Sequence, residues 1–329
     1  MTKTFNWGII GPGRIAHKFA QDIGHTEHAR LHAVASRSED RARSFAGQYG
    51  ASYAFGSYEE ILGCPDLDAV YIASPHTGHY EHTLMCLRAG LPVLCEKPFA
   101  LNANQVREMI ATAREHDTFL MEALWTRFLP TTLKALELIG NGAIGQVLAV
   151  KADFGFRAPF DPQGRLYNPQ LGGGSLLDIG IYPVFLALLV LGYPDTIKAL
   201  AHIGTTGVDE ECGMLFRYSD GRMAHLHSTI RARTKTEAFI YGEEGAIHLH
   251  TRWHEPTSMS LVSNEGRPLD FHFDWKTNGY SYEAQEVMRC LSSGLKESPA
   301  MPLRFSLSLI ALLDAIRAEI GLVYPEESE

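Results

Sequence analysis

Short apolar runs alternate with segments of helical periodicity along the first third of the chain. The predicted strands are residues 5–10, 31–35, 69–73, 93–95 and 119–121, and the predicted helices are residues 15–23, 40–49, 79–89 and 102–116. Strands that are joined by crossover helices run parallel, and the helices cover both faces of their sheet. The pattern therefore predicts an α/β domain with a doubly wound parallel sheet of the Rossmann type.

The pattern changes near residue 122. Longer strand-like runs follow at residues 147–154, 197–204, 212–218, 223–230, 238–241 and 246–250, and helical segments lie at 176–191, 282–291 and 303–320. Several of these runs are joined by short turns that suit antiparallel hairpins. We therefore predict a second, α+β domain with an open, mostly antiparallel sheet. The predicted domains are residues 1–122 and residues 123–329.

Composition narrows the function class. Of the 329 residues, 45% are hydrophobic and 20% are charged, as in ordinary globular proteins. The net charge of -9 disfavours nucleic acid and anionic membranes as partners. The apolar run 184–191 is shorter than the roughly 18 residues of a membrane span, and residues 1–7 do not resemble a secretory signal. We expect a cytoplasmic protein without nucleic-acid or membrane partners.

The first predicted strand is followed directly by a glycine-rich turn. Residues 11–16 match the pattern G-x-G-x-x-A and open the first helix. Gly11 permits the tight turn, Gly13 lets the backbone approach a pyrophosphate, and Ala16 keeps the helix close to the sheet. The helix amino end supplies partial positive charge. The turn predicts dinucleotide binding, with an ordinary strand-turn-helix as the alternative.

The end of the second strand indicates which dinucleotide binds. An NAD site usually carries an acidic residue here, whereas this chain has Ser36 and Arg37. These two side chains can bind and neutralise a 2′-phosphate. We therefore expect NADP, with NAD possible. In the alternative interpretation, Arg37 is an ordinary solvated surface residue.

A Glu-Lys-Pro sequence, residues 96–98, follows the strand at residues 93–95. The carboxyl ends of parallel strands form the edge at which such sheets bind ligands, so Lys97 is expected to point into the cleft. Pro98 restricts the backbone beside it. The alternative is an exposed loop charge that pairs with Glu96.

Residues 172–183, which read G-G-G-S-L-L-D-I-G-I-Y-P, form a second unusual segment. Ser175 and Asp178 match a capping box, which could be the whole explanation of Asp178. Asp178 and Tyr182 also share one face if the segment is helical. A tyrosine, with a reference pKa of about 10, needs a neighbouring cation to act as a base at neutral pH, and Lys97 could be that cation. A Tyr/Lys pair suits proton transfer in alcohol oxidation. The alternative for Tyr182 is an ordinary half-buried helix residue.

These motifs, together with M-E-A-L-W-T-R-F at residues 121–128, resemble the family of glucose-fructose oxidoreductase, inositol dehydrogenase and MocA-like proteins over the full length of the chain. Two late motifs, S-Y-E-A at 281–284 and K-E-S-P at 296–299, resemble its dihydrodiol and D-xylose dehydrogenase branch. The resemblance implies a Rossmann domain, then an open-faced sheet domain that serves substrate binding and dimerisation. It also implies a substrate crevice between the domains and a homodimer through the sheet face.

The resemblance and the motifs together give the candidate site. The predicted catalytic residues are Lys97, Tyr182 and Asp178. The predicted substrate pocket is lined by His79, Trp125, Phe154, Asp178 and Tyr182. The predicted cofactor-binding residues are Gly11, Gly13, Arg14, Ile15, Ser36, Arg37, Ser74, Pro75, His76, His79, Glu96, Lys97, Trp125 and Arg127. No metal is expected, because His225 with His227, and His248 with His250 and His254, lack a second cluster of ligands.

We therefore expect an NADP-dependent oxidoreductase that moves a hydride between the nicotinamide and a small cyclic polyol, such as the aldose D-xylose or a trans-dihydrodiol. One alternative is another pyranose dehydrogenase or sugar reductase on the same scaffold, because fold does not settle substrate. The other is a non-catalytic regulator that senses NADPH. The presence of Lys97 and Tyr182 argues against the regulator, which has no use for an acid/base pair.

Overall fold

The structure is a computed structural model that describes residues 4–264 and 266–327. The chain forms two compact units. The first contains the residues up to Trp125 together with Trp275–Leu307, and the second contains Thr126–Asp274 together with the residues from Ser308 onward. A segment late in the sequence thus belongs to the first unit, whereas the predicted single boundary after residue 122 assigned it to the second.

The first unit is built on a six-stranded sheet in the order β3-β2-β1-β4-β5-β6, parallel throughout. The strands are β1 (Phe5–Ile10), β2 (Ala29–Ala35), β3 (Tyr53–Phe55), β4 (Ala69–Ile72), β5 (Val93–Glu96) and β6 (Leu120–Ala123). The helices that connect them are α1 (Arg14–Ile23), α2 (Glu39–Tyr49), α3 (His79–Arg88) and α4 (Ala103–Glu115). This order is that of the doubly wound dinucleotide-binding fold, and it confirms the predicted Rossmann sheet.

The late segment joins the first unit through a remote helix cap. The buried carboxylate of Asp22, on α1, accepts hydrogen bonds from the backbone nitrogens of Tyr280 (2.7 Å) and Ser281 (3.1 Å). These nitrogens open helix α7 (Tyr280–Ser292), whose own preceding residue supplies no side-chain cap. The first amides of α7 are therefore capped by a residue of α1, and not by a residue next to α7 in the sequence.

The second unit contains an eight-stranded sheet in the order β14-β13-β12-β11-β7-β10-β9-β8. Only the central β7–β10 pair is parallel, so the predicted open, mostly antiparallel sheet is confirmed. The strands are β7 (Val147–Gly155), β8 (Thr196–Ile203), β9 (Asp209–Arg217), β10 (Met223–Thr229), β11 (Ala238–Gly242), β12 (Gly245–Leu249), β13 (Met259–Ser263) and β14 (Leu269–Phe271). The sequence analysis did not predict β3, β13, β14 or the helix α5 (Pro130–Gly140). Strands β3 and β14 have only three residues each, too few for a periodic signal.

The predicted helix over residues 176–191 is divided in the structure. Leu176–Gly180 form a π-helical turn, and α6 follows at Ile181–Leu191. Pro183 lies in the first turn of α6, where its missing N–H is tolerated. The segment Pro169–Leu191 is long and apolar enough to span a membrane, but 89% of its most apolar window is buried within the protein, as in a core helix. The final helix, α8 (Leu303–Ile320), has the predicted bounds.

Candidate functional site

The glycine turn after β1 lies at the point where the strand order reverses. Gly11 has φ +83°, and a Cβ atom there would lie 2.8 Å from the backbone nitrogen of Ser74, in the turn after β4. Gly13 faces open space, because a Cβ there would meet only the oxygen of Gly11 at 4.0 Å. The first turn of α1 holds no acidic residue, and no side chain caps it. The amides at this helix start can therefore hold a pyrophosphate, so the residues fit a dinucleotide.

The end of β2 carries the two residues predicted to select NADP. Ser36 is buried, and its hydroxyl accepts a hydrogen bond from the Ser38 nitrogen (3.3 Å), while Arg37 is exposed. Burial lowers the pKa of the His82 imidazole, and the positive charge of Arg37 acts in the same direction. The His82 ring also packs edge-on against Tyr58, with 4.5 Å between ring centroids. The sequence analysis missed His82 and Tyr58, which carry no motif.

The segment that carries Lys97 is held by buried ionisable side chains. The Lys97–Pro98 bond is cis, and Lys97 itself is half-buried. The backbone nitrogen of Lys97 donates to Glu96 (3.1 Å), and that of Phe99 donates to Glu122 (3.0 Å). These bonds restrict the backbone on both sides of the lysine, as a positioned catalytic group requires.

The carboxyl groups in this region lie in a low-dielectric environment. Burial raises the pKa of Glu122 to about 7, and it raises the pKa of Glu283 well above its usual range. The charge on Glu96 contributes to both shifts. Tyr71 donates a short hydrogen bond to Glu96, and burial raises the pKa of this phenol. A negative charge on one of these carboxyl groups therefore disfavours ionisation of the others around β5, the strand that ends directly before Lys97.

His79, predicted to contact both substrate and cofactor, connects two loops of the sheet edge. Only 1% of its surface is exposed, and its ring nitrogens lie 2.7 Å from the Pro98 oxygen and 2.9 Å from the Ser74 oxygen. Burial lowers the pKa of His79 to about 4, so at neutral pH the ring has one N–H for two carbonyl oxygens. His79 thus links the loop after β4 with the loop after β5. Its contact with a ligand stays a prediction.

The other predicted cofactor residues differ in exposure. Trp125 is buried, and its ring stacks on Tyr280 with 4.4 Å between centroids. His76 is also buried. The partly buried residues are Ile15, Pro75 and Arg127, and Arg14 is exposed. Their contacts with a nucleotide stay predictions.

Two predicted pocket residues of the second unit lie together. Tyr182, on α6, has its ring centroid 5.7 Å from that of Phe154, near the end of β7. His254 completes this aromatic cluster, 3.9 Å from Phe154 and 5.1 Å from Tyr182 between centroids. Tyr182 is 5% exposed, so it is more deeply buried than the half-buried helix residue of the alternative interpretation. The sequence offered His254 only as an unlikely metal ligand, and its position here depends on tertiary structure.

The predicted capping box between Ser175 and Asp178 is wrong. The Ser175 hydroxyl donates to Asp209 Oδ2 (2.8 Å), and the Leu176 nitrogen donates to the same oxygen (2.7 Å). Asp178 instead forms a two-pronged ion pair with Arg165, at 2.7 Å and 3.2 Å. A residue on β9 therefore caps the segment, so capping by Ser175 does not explain the presence of Asp178. Neither Arg165 nor Asp209 was predicted.

The histidine pairs considered for metal binding have carboxylate neighbours instead. His227 lies 3.1 Å from Glu211, and His248 lies 3.5 Å from Glu237. Within residues 4–264 and 266–327, no three His, Cys, Asp or Glu side chains converge as a metal site requires.

Comparison with known families identifies both parts of the chain. Residues 5–124 match the model described as the oxidoreductase family with an NAD-binding Rossmann fold, and residues 132–248 match the GFO/IDH/MocA C-terminal domain. The chain belongs to the GFO/IDH/MocA family of oxidoreductases. The predicted family and fold are thereby confirmed, and so is the expectation of an enzyme.

Named relatives and solved structures cover almost the whole chain. Trans-1,2-dihydrobenzene-1,2-diol dehydrogenase of Xenopus tropicalis is 38% identical to this chain, and the match covers 97% of this chain and 99% of the relative. The enzyme of the same name from Homo sapiens is 36% identical, and the match covers 98% of each chain. Among solved structures, an aldose-aldose oxidoreductase from Caulobacter crescentus complexed with glycerol superposes with a TM-score of 0.88 at 25% identity, covering 97% of this chain and 98% of that one. A 3-ketoreductase from Actinomadura kijaniata in complex with NADP gives 0.86 at 26% identity, with the same coverage.

Proposed function

We propose that this oxidoreductase uses NADP to oxidise a hydroxyl group of a small cyclic polyol, either a trans-dihydrodiol or an aldose such as D-xylose. The observation that carries the proposal is the placement of Tyr182 in a buried aromatic cluster, on the segment that also holds the ion-paired Asp178. A buried phenol among aromatic rings, on a segment that also carries an ion-paired carboxylate, suits a small ring that carries hydroxyl groups. The names of the curated relatives support the same substrate class.

Oxidation of an alcohol removes a hydride from the carbon and a proton from the hydroxyl group, and in the proposed chemistry each goes to a different acceptor. NADP, held at the glycine turn of Gly11 and Gly13, would supply the acceptor for the hydride that leaves the carbon. Tyr182 takes the hydroxyl proton onto its phenolate oxygen, and the ammonium group of Lys97 stabilises that phenolate. Asp178 accepts a hydrogen bond from the substrate. In the reverse direction, Tyr182 returns the proton to the carbonyl oxygen, so the same residues also serve a sugar reductase.

The choice of NADP rests on the residues after β2. Ser36 and the exposed Arg37 stand where an NAD site usually carries an acid, so nothing at these positions repels a 2′-phosphate. Burial lowers the pKa of His82 and so disfavours a positive charge on this ring, whereas Arg37 carries a permanent charge that can neutralise the phosphate. A related solved structure also contains NADP.

We further propose that the protein forms a homodimer through the exposed face of its eight-stranded sheet. Alternate residues of the strands point to this face, including Leu200 (84% exposed), Leu215 (47%) and Tyr241 (39%). The register places Leu215 and Lys198 opposite each other, while Met214 and Phe216, on either side of Leu215 in β9, are buried. Large exposed apolar side chains on one sheet face are typical of an interface. The cytoplasmic location stays a prediction.

A substrate panel tests the proposed function. Purified protein is incubated with aldoses, including D-xylose, and with cyclic trans-diols, in parallel with NADP and NAD, and cofactor reduction is followed by absorbance. We expect turnover with at least one polyol and a higher kcat/KM for NADP. An NAD preference would contradict the interpretation of Arg37. Failure with every polyol in both reaction directions would instead favour the regulator that senses NADPH.

A further inference from the structure

His82, on α3, is connected to the glycine turn through Ser74. Its ring nitrogen Nδ1 lies 2.9 Å from the hydroxyl oxygen of Ser74, in the loop after β4. The backbone of Ser74 packs against the turn, because a Cβ atom on Gly11 would lie 2.8 Å from the Ser74 nitrogen. The other ring nitrogen of His82, Nε2, makes no hydrogen bond within residues 4–264 and 266–327. The ring is half-buried, which leaves Nε2 available to a bound ligand.

A second set of contacts connects His82 to the end of β2. Its ring packs edge-on against Tyr58, with 4.5 Å between ring centroids. Tyr58 lies shortly after β3, and the end of β3 is bound to the end of β2, because the Ser36 nitrogen donates to the Phe55 oxygen at 3.1 Å. Arg37 follows Ser36 directly. His82 is thus connected both to the turn that fits a pyrophosphate and to the residues proposed to bind a 2′-phosphate.

The surroundings of His82 disfavour a charged ring in the free protein. Burial has the largest effect and lowers the pKa of the imidazole, and the positive charge of Arg37 lowers it further. The carboxylates of Glu81, on α3, and Glu59, after β3, act in the opposite direction. A phosphate bound beside Arg37 would add negative charge, which favours the imidazolium and offsets its repulsion by the guanidinium.

We propose that His82 is a specificity-determining residue for the cofactor: it takes up a proton when NADP binds, and the imidazolium donates a hydrogen bond from Nε2 to the 2′-phosphate. This inference rests on the proposed function, in which Arg37 binds the same phosphate. The proton comes from solvent, and no covalent bond of the cofactor changes. NAD lacks the 2′-phosphate, so its binding induces no proton uptake at His82. The selection of NADP over NAD therefore becomes stronger as the pH falls from about 8 to about 6.

Proton uptake and cofactor affinity are linked. A group whose pKa is higher in the complex than in the free protein gains a proton between the two values, so affinity increases as the pH falls through that range. A pKa that rises by about 1 gives an uptake of about half a proton midway between the two values, and about 10-fold in affinity. Phosphate monoesters have a second pKa of about 6, and a cationic site favours their loss of this proton, which has the opposite sign. The contribution of His82 is therefore the difference between wild type and a variant without the imidazole.

The test measures proton exchange on cofactor binding. Binding of NADPH and of NADH to wild type, His82→Gln, His82→Phe and Arg37→Ala is followed by calorimetry in two buffers of different ionisation enthalpy, which gives the number of protons taken up. His82→Phe keeps a ring against Tyr58 but has no ring nitrogen. The Kd of each nucleotide is measured by fluorescence titration between about pH 6 and about pH 8. Thermal unfolding checks that every variant is folded.

The control variant is His116→Gln. His116 is an exposed histidine between α4 and β6. Parallel strands begin at one edge of the sheet, and the glycine turn follows β1 at the other edge. A change at His116 therefore removes a titrating imidazole from the first unit without altering the surroundings of the nucleotide.

We expect wild type to take up as much as about half a proton more than His82→Gln or His82→Phe when NADPH binds, with no such difference for NADH. The higher NADPH affinity of wild type should reach about 10-fold toward pH 6 and disappear toward pH 8. Arg37→Ala should lose NADPH affinity at every pH, and His116→Gln should resemble wild type. Equal proton uptake by wild type and both His82 variants would overturn the inference, as would the same difference with NADH.

The proposed function fails by different results. Proton uptake that depends on His82, without turnover of any polyol, would sustain the inference and contradict the proposed oxidoreductase reaction. Weaker binding of NADPH than of NADH to wild type at every pH would contradict both the proposed use of NADP and the role of His82.

Discussion

Asp209 Oδ2 accepts a hydrogen bond from the backbone nitrogen of Leu176 at 2.7 Å, across a sequence separation of 33 residues. A carboxylate on β9 thus caps the π-helical turn that leads into the helix of Tyr182. Asp209 is completely buried, and burial raises its pKa to about 7. Its other oxygen, Oδ1, has no hydrogen-bond partner within the described residues. The orientation of the Tyr182 segment therefore depends on an acid that is costly to ionise.

Replacement of Asp209 by asparagine should change how stability depends on pH. The folded-state pKa of about 7 lies above the value near 3.9 expected in the unfolded chain. Between these values the folded state keeps a proton that the unfolded state loses, so this group lowers the free energy of unfolding as the pH rises. Asp209→Asn removes that decrease. Urea unfolding from pH 4 to pH 8 should show the variant gaining stability relative to wild type as the pH rises.

The matched variant Asp209→Ala separates ionisation from capping. It removes the titrating group and also the acceptor of the Leu176 amide, so we expect it to be about 1–3 kcal/mol less stable than Asp209→Asn at all pH values. If Asp209→Asn follows the wild-type pH dependence, Asp209 is not the group that titrates in this range.

Tyr182→Phe tests the proposed base. The substitution keeps the aromatic ring and removes the oxygen that takes the hydroxyl proton, so kcat should fall at least about 100-fold, the lower end for a general acid/base group. Affinity for NADPH, measured by fluorescence titration, should not change. A variant that binds NADPH normally and retains full turnover would refute this assignment.

Lys97→Met removes the cation proposed to stabilise the Tyr182 phenolate. We expect a fall in kcat of more than about 100-fold, because both the electrostatic effect and any proton relay are lost. Lys97→Arg is the matched control, since it keeps the charge but not the shape of the amine. If the arginine variant recovers part of the activity at high pH while the methionine variant does not, charge is the essential property. Equal activity of Lys97→Met and wild type would exclude the proposed role.

Arg37→Ala tests the selection of NADP. If this guanidinium binds the 2′-phosphate, KM for NADP should rise about 10-fold or more, and KM for NAD should stay within about twofold, because NAD lacks that phosphate. His82→Gln is a useful companion, since burial disfavours a positive charge on His82 in the free protein, so this variant should have the smaller effect at neutral pH. An equal change for both nucleotides would indicate a structural role for Arg37.

Leu215→Glu tests the proposed dimer. This side chain is 47% exposed on the outer sheet face, so its replacement leaves the core intact but places a charge in the interface. We expect the variant to elute as a monomer in light scattering coupled to gel filtration, while wild type elutes as a dimer. Leu133→Glu, a similarly exposed residue on α5, serves as the control. A wild-type monomer would contradict the proposal.

The sequence by itself determined most of the architecture. Strand β1 and helix α8 were predicted with their observed bounds, because a buried strand and a long amphipathic helix carry strong periodic signals. The glycine turn was also readable, since its spacing follows from backbone geometry that only glycine permits. These features are local, so neighbouring residues are sufficient to predict them.

Tertiary structure decided the partners of the polar residues. Ser175 and Asp178 have the spacing of a local cap, yet Asp209 satisfies the amide and Arg165 binds Asp178. The same holds for Asp22, which caps a helix more than 250 residues later. A hydrogen bond needs only proximity in space, and the fold can supply a better acceptor than the one nearby in sequence. Periodicity reports which face of an element is buried, but it does not report what lies opposite that face.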